Sequence, residues 1–179
     1  MKITLLVIIF ILFIMLIFLT TNGLFFKPEI KIKLMGPFKF VYRDHIGPYR
    51  ETGKIQNEIY AYLLADQKIE TFKGIGIYYD NPKNVPPEQL RSKVGCIIEP
   101  KDDIPTTSLS NDFKMMTLEK QEMIYAEFPF KSKIAIMLGI MKVYPLMQNY
   151  CVEKGLVFRE SIEIYDVPGR KIFYLMPIE

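Results

Sequence analysis

The chain has 179 residues, enough for one domain with an appendage, and half of them are apolar. Its net charge of +3 is small and its 23 lysines and arginines are spread along the chain, so there is no concentrated basic stripe or reading motif that calls for nucleic acid. Two cysteines, Cys96 and Cys151, and a single histidine, His45, are too few and too scattered for a disulfide framework or a metal site; neither metal nor cofactor is expected.

Residues 3–19 are uncharged and almost wholly apolar, and 24–26 extend the run past a short polar break. An apolar helix needs ~20 residues to cross a bilayer, so residues 1–26 are long enough for a transmembrane anchor. A cleavable secretory signal is the competing reading, but its apolar region is normally ~7 to 15 residues and ends in small residues. Here the run passes through phenylalanines into Lys27. Upstream there is only Lys2 and the terminal amine, whereas Lys27, Lys31, Lys33, Lys39 and Arg43 follow the helix. Basic residues tend to stay cytoplasmic, so the expectation is a single-pass protein with its C-terminal domain in the cytosol. The membrane would be endoplasmic reticulum in a eukaryote and the inner membrane in a bacterium.

Residues 27–36 read as a basic juxtamembrane spacer, and 37–179 as the domain. Phe38, Phe40 and Tyr42 alternate as on a strand, and after a His-Ile-Gly-Pro-Tyr turn Ile55, Ile59, Tyr62 and Leu63 recur at helical spacing. Strands are predicted at about 72–80 and 93–99. Residues 101–119 look like a connector carrying one short strand near 113–116. The order then repeats: a strand over 123–130, a helix from Ser132, and strands over 157–166 and 171–178. Ser132 is a fair N-cap, and Ile134, Met137, Leu138 and Met141 suggest the apolar stripe of that helix. Pro145 predicts a kink or restart near Tyr144. The two units, 37–100 and 120–179, share a visible signature, since IYYD at 77–80 lies 86 positions before EIYD at 163–166.

Organisation centres on residues 74–95, GIGIYYDNPKNVPPEQLRSKVG: an alternating strand, an Asp-Asn-Pro turn, a Pro-stiffened loop and the start of another strand. Asp80 and Tyr78 suit a capping role at that turn, with Arg91 bracing the loop through Asp80 or Glu88. GIYYDNP, the VPPE loop and RSKVG, together with HIGPYRETG at 45–53, EFPF at 127–130 and IEIYD at 162–166, occur in an order that resembles the GyrI-like small-molecule-binding domains. Within them the similarity is greatest to the branch of the testis-expressed reticulophagy receptors. The resemblance covers nearly everything after the apolar segment. It implies an α+β fold in which duplicated strand-helix-strand-strand units form an antiparallel sheet, with helices on one face and a groove on the other.

Side chains alternate across a sheet, so Glu163 shares a face with Tyr165 while Ile162 and Ile164 share the opposite one. With the isoleucines under the helices, Glu163 points into the groove, and the 86-residue offset puts Tyr79 on the corresponding face of the first unit. Tyr125 joins that wall by parity. The resemblance implies that Glu163 meets cationic ligands and, in an enzyme, acts as a general base on strained electrophiles; Tyr79 and Tyr165 would hold a cation over their rings. Glu163, Tyr165, Tyr79 and Tyr125 are therefore the candidate ligand-binding residues for a small apolar or cationic ligand or a protein partner. No catalytic residue is assigned unless Glu163 serves as one, since no nucleophile motif or phosphate-binding loop is present. An adaptor resembling the reticulophagy receptors is the second expectation. It lacks their disordered tail, because the last predicted strand runs to the end of the given sequence.

Overall fold

The computed structural model describes residues 2–100, 102, 104, 105 and 109–178; of the 101–119 connector, positions 101, 103 and 106–108 lie outside the described residues. Helix α1 spans Lys2–Thr21 and none of its residues is buried. A helix with an uncharged apolar run this long has no stable place in water, and its length and composition suffice to cross a membrane.

The remaining elements are β1 (Lys31–Met35), β2 (Phe38–Ile46), α2 (Thr52–Ala65), β3 (Lys73–Tyr78), β4 (Arg91–Ile97), β5 (Lys114–Leu118), β6 (Gln121–Pro129), α3 (Lys133–Lys154), β7 (Ser161–Asp166) and β8 (Lys171–Pro177). They form an antiparallel sheet in the order β1-β6-β8-β7-β3-β4-β2-β5. Its centre is the β3–β7 pair, one strand from each strand-helix-strand-strand unit, so the predicted α+β duplication is what the chain folds into. The stretch read as a spacer contributes β1, an edge strand on β6.

Both helices lie on one face. Ile55, Ile59 and Leu63 of α2 pack on Val41, Val94 and Cys96; Val143, Met147 and Cys151 of α3 pack on Ile124, Ala126, Phe128, Ile172 and Tyr174. The other face has no helix, yet Phe40, Ile75, Met123, Ile164 and Leu175 on it are fully buried, closed over by Met35 of β1 and Met116 and Leu118 of β5, the two edge strands, and by Phe38 of β2. The sheet therefore curls around its own side chains. Close approach of strands is needed for that curl: a Cβ at Gly95 would lie 2.2 Å from the Val41 carbonyl oxygen.

This packing corrects two expectations. The face opposite the helices is filled, and the hollow lies on the helix side, between α2 and α3. The isoleucines of β7 face the filled side, because both faces are buried and alternation alone does not say which one the helices cover. The face given to Tyr79 is corrected as well: Gly76 pairs with Glu163 and shares its face, so by alternation Tyr78 continues that face and Tyr79 falls on the opposite one.

Helix α3 differs from its predicted form as well. It runs unbroken through Pro145, capped by Ser132, whose hydroxyl accepts from the Ile134 N–H at 3.1 Å, and ending at Gly155 in the left-handed conformation. Its buried line is Ala135, Gly139, Val143, Met147 and Cys151, whereas Met137 and Met141 are exposed. Pro145 sits on the exposed side of the helix, as does Met141, whose carbonyl a proline four residues on cannot serve.

Candidate functional site

The two helices sit over the flanks of the sheet, α2 on β2 and β4 and α3 on β6 and β8, which leaves the central β3–β7 pair roofless. The space between them is an open cleft of about 2490 Å³. That exceeds the ~300–1,000 Å³ of an ordinary small-molecule pocket, so a compact ligand would occupy only part of it. Two glycines deepen the floor. Gly74 and Gly76 of β3 lie opposite Tyr165 and Glu163 of β7, and no side chain fills the space above them from their own strand. Instead Gln56 of α2 reaches across Gly74, donating to the Gly95 carbonyl at 3.1 Å, while the Tyr78 ring folds back over Gly76.

Glu163 is at the bottom of this hollow, 3% exposed. One carboxylate oxygen accepts from the Tyr144 hydroxyl of α3 at 2.6 Å and the other from Tyr165. Tyr144 lies 3.1 Å from the Ser161 hydroxyl as well, and Tyr165 is hydrogen-bonded to Tyr78, which in turn contacts Thr52 at the start of α2. Phenolic groups thus bridge the two helices across one acid. None of the described ion pairs includes Glu163. Burial in this cation-free setting raises its pKa above the ordinary carboxyl value, opposed by the two tyrosine hydrogen bonds. The same burial, next to the Glu163 charge, pushes the Tyr144 and Tyr165 hydroxyls well above their usual range.

Of the four residues singled out in the sequence, Glu163 and Tyr165 come together here. Tyr79 stands at the cleft edge beyond the end of β3, 37% exposed, with Lys93 donating to its hydroxyl at 3.0 Å. Tyr125 is on the filled face, stacked on Phe173 and donating to Glu127 at 2.6 Å, with the Lys33 ammonium 3.8 Å from its ring centre. Tyr144 and Tyr78 take the places beside the acid instead. The sequence did hold a signal for Tyr78: alternate glycines at 74 and 76 empty one face of β3, and Tyr78 continues that face.

One wall of the cleft, on α3, is apolar, with Ile136, Met137, Ile140 and Met141; methionine adapts to irregular ligands. At one end the loop after β3 is locked: Arg91 donates twice to the Asp80 carboxylate, at 3.0 and 2.8 Å, and holds its pKa below the usual range. Tyr49 ties that loop to α2, accepting from the Asp80 N–H at 3.1 Å.

Helix α1 is joined to the domain without slack. Asn22 and Gly23 are buried immediately after it. The Ser132 hydroxyl donates to Asn22 Oδ1 at 2.6 Å, and the Lys142 ammonium reaches the carbonyls of Gly23, Leu24 and Phe26. Gly23 adopts φ +98°, and a Cβ there would lie 2.7 Å from the Phe128 ring.

Comparison with known proteins agrees with this architecture. Mouse testis-expressed protein 264 homolog is 29% identical over 143 residues, covering 76% of this chain and 44% of that one. Human testis-expressed protein 264 is 28% identical over 143 residues, 76% and 43%; the chain spans less than half the length of either. Among solved structures, the EcmrR C-terminal domain superposes with a TM-score of 0.61 at 11% identity over 85% of this chain and 98% of that one. SAV2435, solved bound to tetraphenylphosphonium, gives 0.55 at 12% identity over 84% and 94%. The model of the GyrI-like small-molecule-binding domain matches residues 28–172, and the chain belongs to that family.

Proposed function

We propose that the protein is a membrane-tethered receptor that holds a small apolar cation, or a neutral molecule of similar shape, between α2 and α3 over Glu163. The observation that carries this reading is a buried carboxyl served only by tyrosine hydroxyls at the floor of an open cleft with a methionine-rich wall. Such an acid lacks its counter-charge, which a lipophilic cation supplies while the rings accept its apolar body. That a structural relative was solved with tetraphenylphosphonium supports the choice of ligand class. The tether rests on α1. A leader removed by cleavage has no reason to be built into the domain, whereas here Lys142 and Ser132 bind the segment directly after the helix. The basic residues that follow α1 support a cytosolic side for the domain.

The test is thermal shift with tetraphenylphosphonium on the full chain in detergent. A ligand at ~100 times its Kd stabilises by ~2.7 kcal/mol, a shift of several degrees for a domain of this size. The wild type should show it and Glu163→Gln should lose most of it. Equal shifts in both proteins would refute the assignment of Glu163.

A further inference from the structure

Four residues mark one end of the sheet as successive cross-strand partners: Pro129 with Lys171, Lys171 with Asp166, and Asp166 with Lys73. The row is three strand spacings wide, about 14 Å. Helix α3 starts at this end, and so does the joint to α1, since Ser132 is bonded to Asn22. If α1 crosses the bilayer as proposed above, its 20 residues rise about 30 Å and use up the hydrocarbon core. Residue 22 then lies at headgroup depth. With no slack in the joint, the end of the sheet lies there too.

The chemistry of that end suits such a location. Phe72 and Val167, tied to each other by the Val167 N–H to Phe72 carbonyl bond, are 49% and 58% exposed, and Phe25 beside the joint is 68% exposed. Interleaved with them are the exposed Lys131, Lys133 and Arg170. The acids nearby are already engaged: Glu127 pairs with Lys171 at 3.0 Å, and Asp166 accepts from the Gly169 N–H within its own turn. Exposed apolar side chains among unpaired cations are the pattern of a surface that lies in the interface of an anionic membrane. The opposite end of the sheet carries the 81–89 loop and the Asp80–Arg91 pair; Ile46 is exposed there too, but it stands next to Arg91, which is already paired with Asp80.

We propose that this end of the domain rests on the bilayer, with Phe25, Phe72 and Val167 in the interface and Lys131, Lys133 and Arg170 on the phosphates of anionic lipids. Lys131, Lys133, Val167 and Arg170 also line the cleft, so one mouth of the cleft opens at the lipid surface and the ligand is loaded from the membrane, where an apolar cation concentrates.

The test uses the full chain in nanodiscs with and without phosphatidylserine, carrying a fluorophore at Val167→Cys or, at the far end, Asn84→Cys. Cys96 and Cys151 are buried and stay unlabelled. Nitroxide attached to lipid headgroups should quench the probe at 167 severalfold more than the probe at 84, and more so with phosphatidylserine present. Replacing Lys131, Lys133 and Arg170 by Glu should bring quenching at 167 down to the level at 84 while the melting temperature stays within a degree or two. Equal quenching at the two positions, or quenching at 167 indifferent to these charges, overturns the proposal. A chain that does not enter nanodiscs at all removes the tether beneath it, whereas tetraphenylphosphonium binding in detergent reports on the cleft independently of either result.

Discussion

At the scale of single residues the proposed site depends on the protonation of Glu163. A carboxyl whose folded pKa is raised leaves the unfolded chain holding fewer protons than the folded one between the ordinary value, 4.5, and the raised one. Stability therefore falls as pH rises through that window and levels off above it. Glu163→Gln removes the titration, so melting temperatures of the two proteins should converge at acid pH, with the variant gaining on the wild type towards neutrality; parallel curves would show that Glu163 is not the titrating group. Ligand binding has the opposite sign. A cation favours the ionised form, so tetraphenylphosphonium should bind more tightly as pH rises through the same window and should release protons, and calorimetry in two buffers of different ionisation enthalpy measures that release. The floor makes a further demand on Gly76, where a Cβ would lie 2.7 Å from the Tyr78 hydroxyl. Gly76→Val should push that ring into the cleft and abolish the ligand-induced shift, at a folding cost of about 1–3 kcal/mol for overpacking.

Among the elements, α1 and α3 are coupled through the segment after α1, which Lys142 and the N-cap Ser132 both hold. Lys142 gathers the carbonyls of Gly23, Leu24 and Phe26 in the segment that follows α1. Lys142→Met keeps the stem and removes the charge; at about 1.5–3 kcal/mol for a charged hydrogen-bonding group, the 22–27 segment should open at least tenfold more often. Limited proteolysis within that segment reads this directly, and an unchanged nicking rate would show that the joint is held by the Ser132–Asn22 bond and the Phe26–Phe128 contact without Lys142. How much of this was legible beforehand follows from what periodicity encodes. Strands and helices could be placed because alternation and helical spacing are local, and the duplication because IYYD and EIYD are similar strings. The face given to the helices was not legible: with both faces of the sheet buried, Ile162 and Ile164 look like residues under a helix but lie in the curled interior. Tyr125 was misassigned for the same reason, and Tyr79 because similar strings in two strands do not fix which face each side chain takes. Tyr144 was visible only as a neighbour of Pro145, because contact between α3 and β7 is set by tertiary packing.

For the molecule as a whole, orientation decides which ligands and partners the cleft can meet. The charge asymmetry across α1 is strong: Lys27, Lys31 and Lys33 follow it closely, against Lys2 alone before it. Short basic flanks of this kind set the side on which the following domain stays. In vesicles that expose their cytosolic face, added protease should cut the exposed 81–89 loop and leave a membrane-bound fragment containing α1. Protection until detergent is added would place the domain on the other side. Moving charge tests the cause: Lys27→Gln, Lys31→Gln and Lys33→Gln, combined with lysines introduced ahead of α1, should give a protected fraction that grows with the reversal of the bias. If topology ignores that reversal, the domain holds its side by folding before insertion, and the tight joint at Asn22 and Gly23 becomes the stronger determinant.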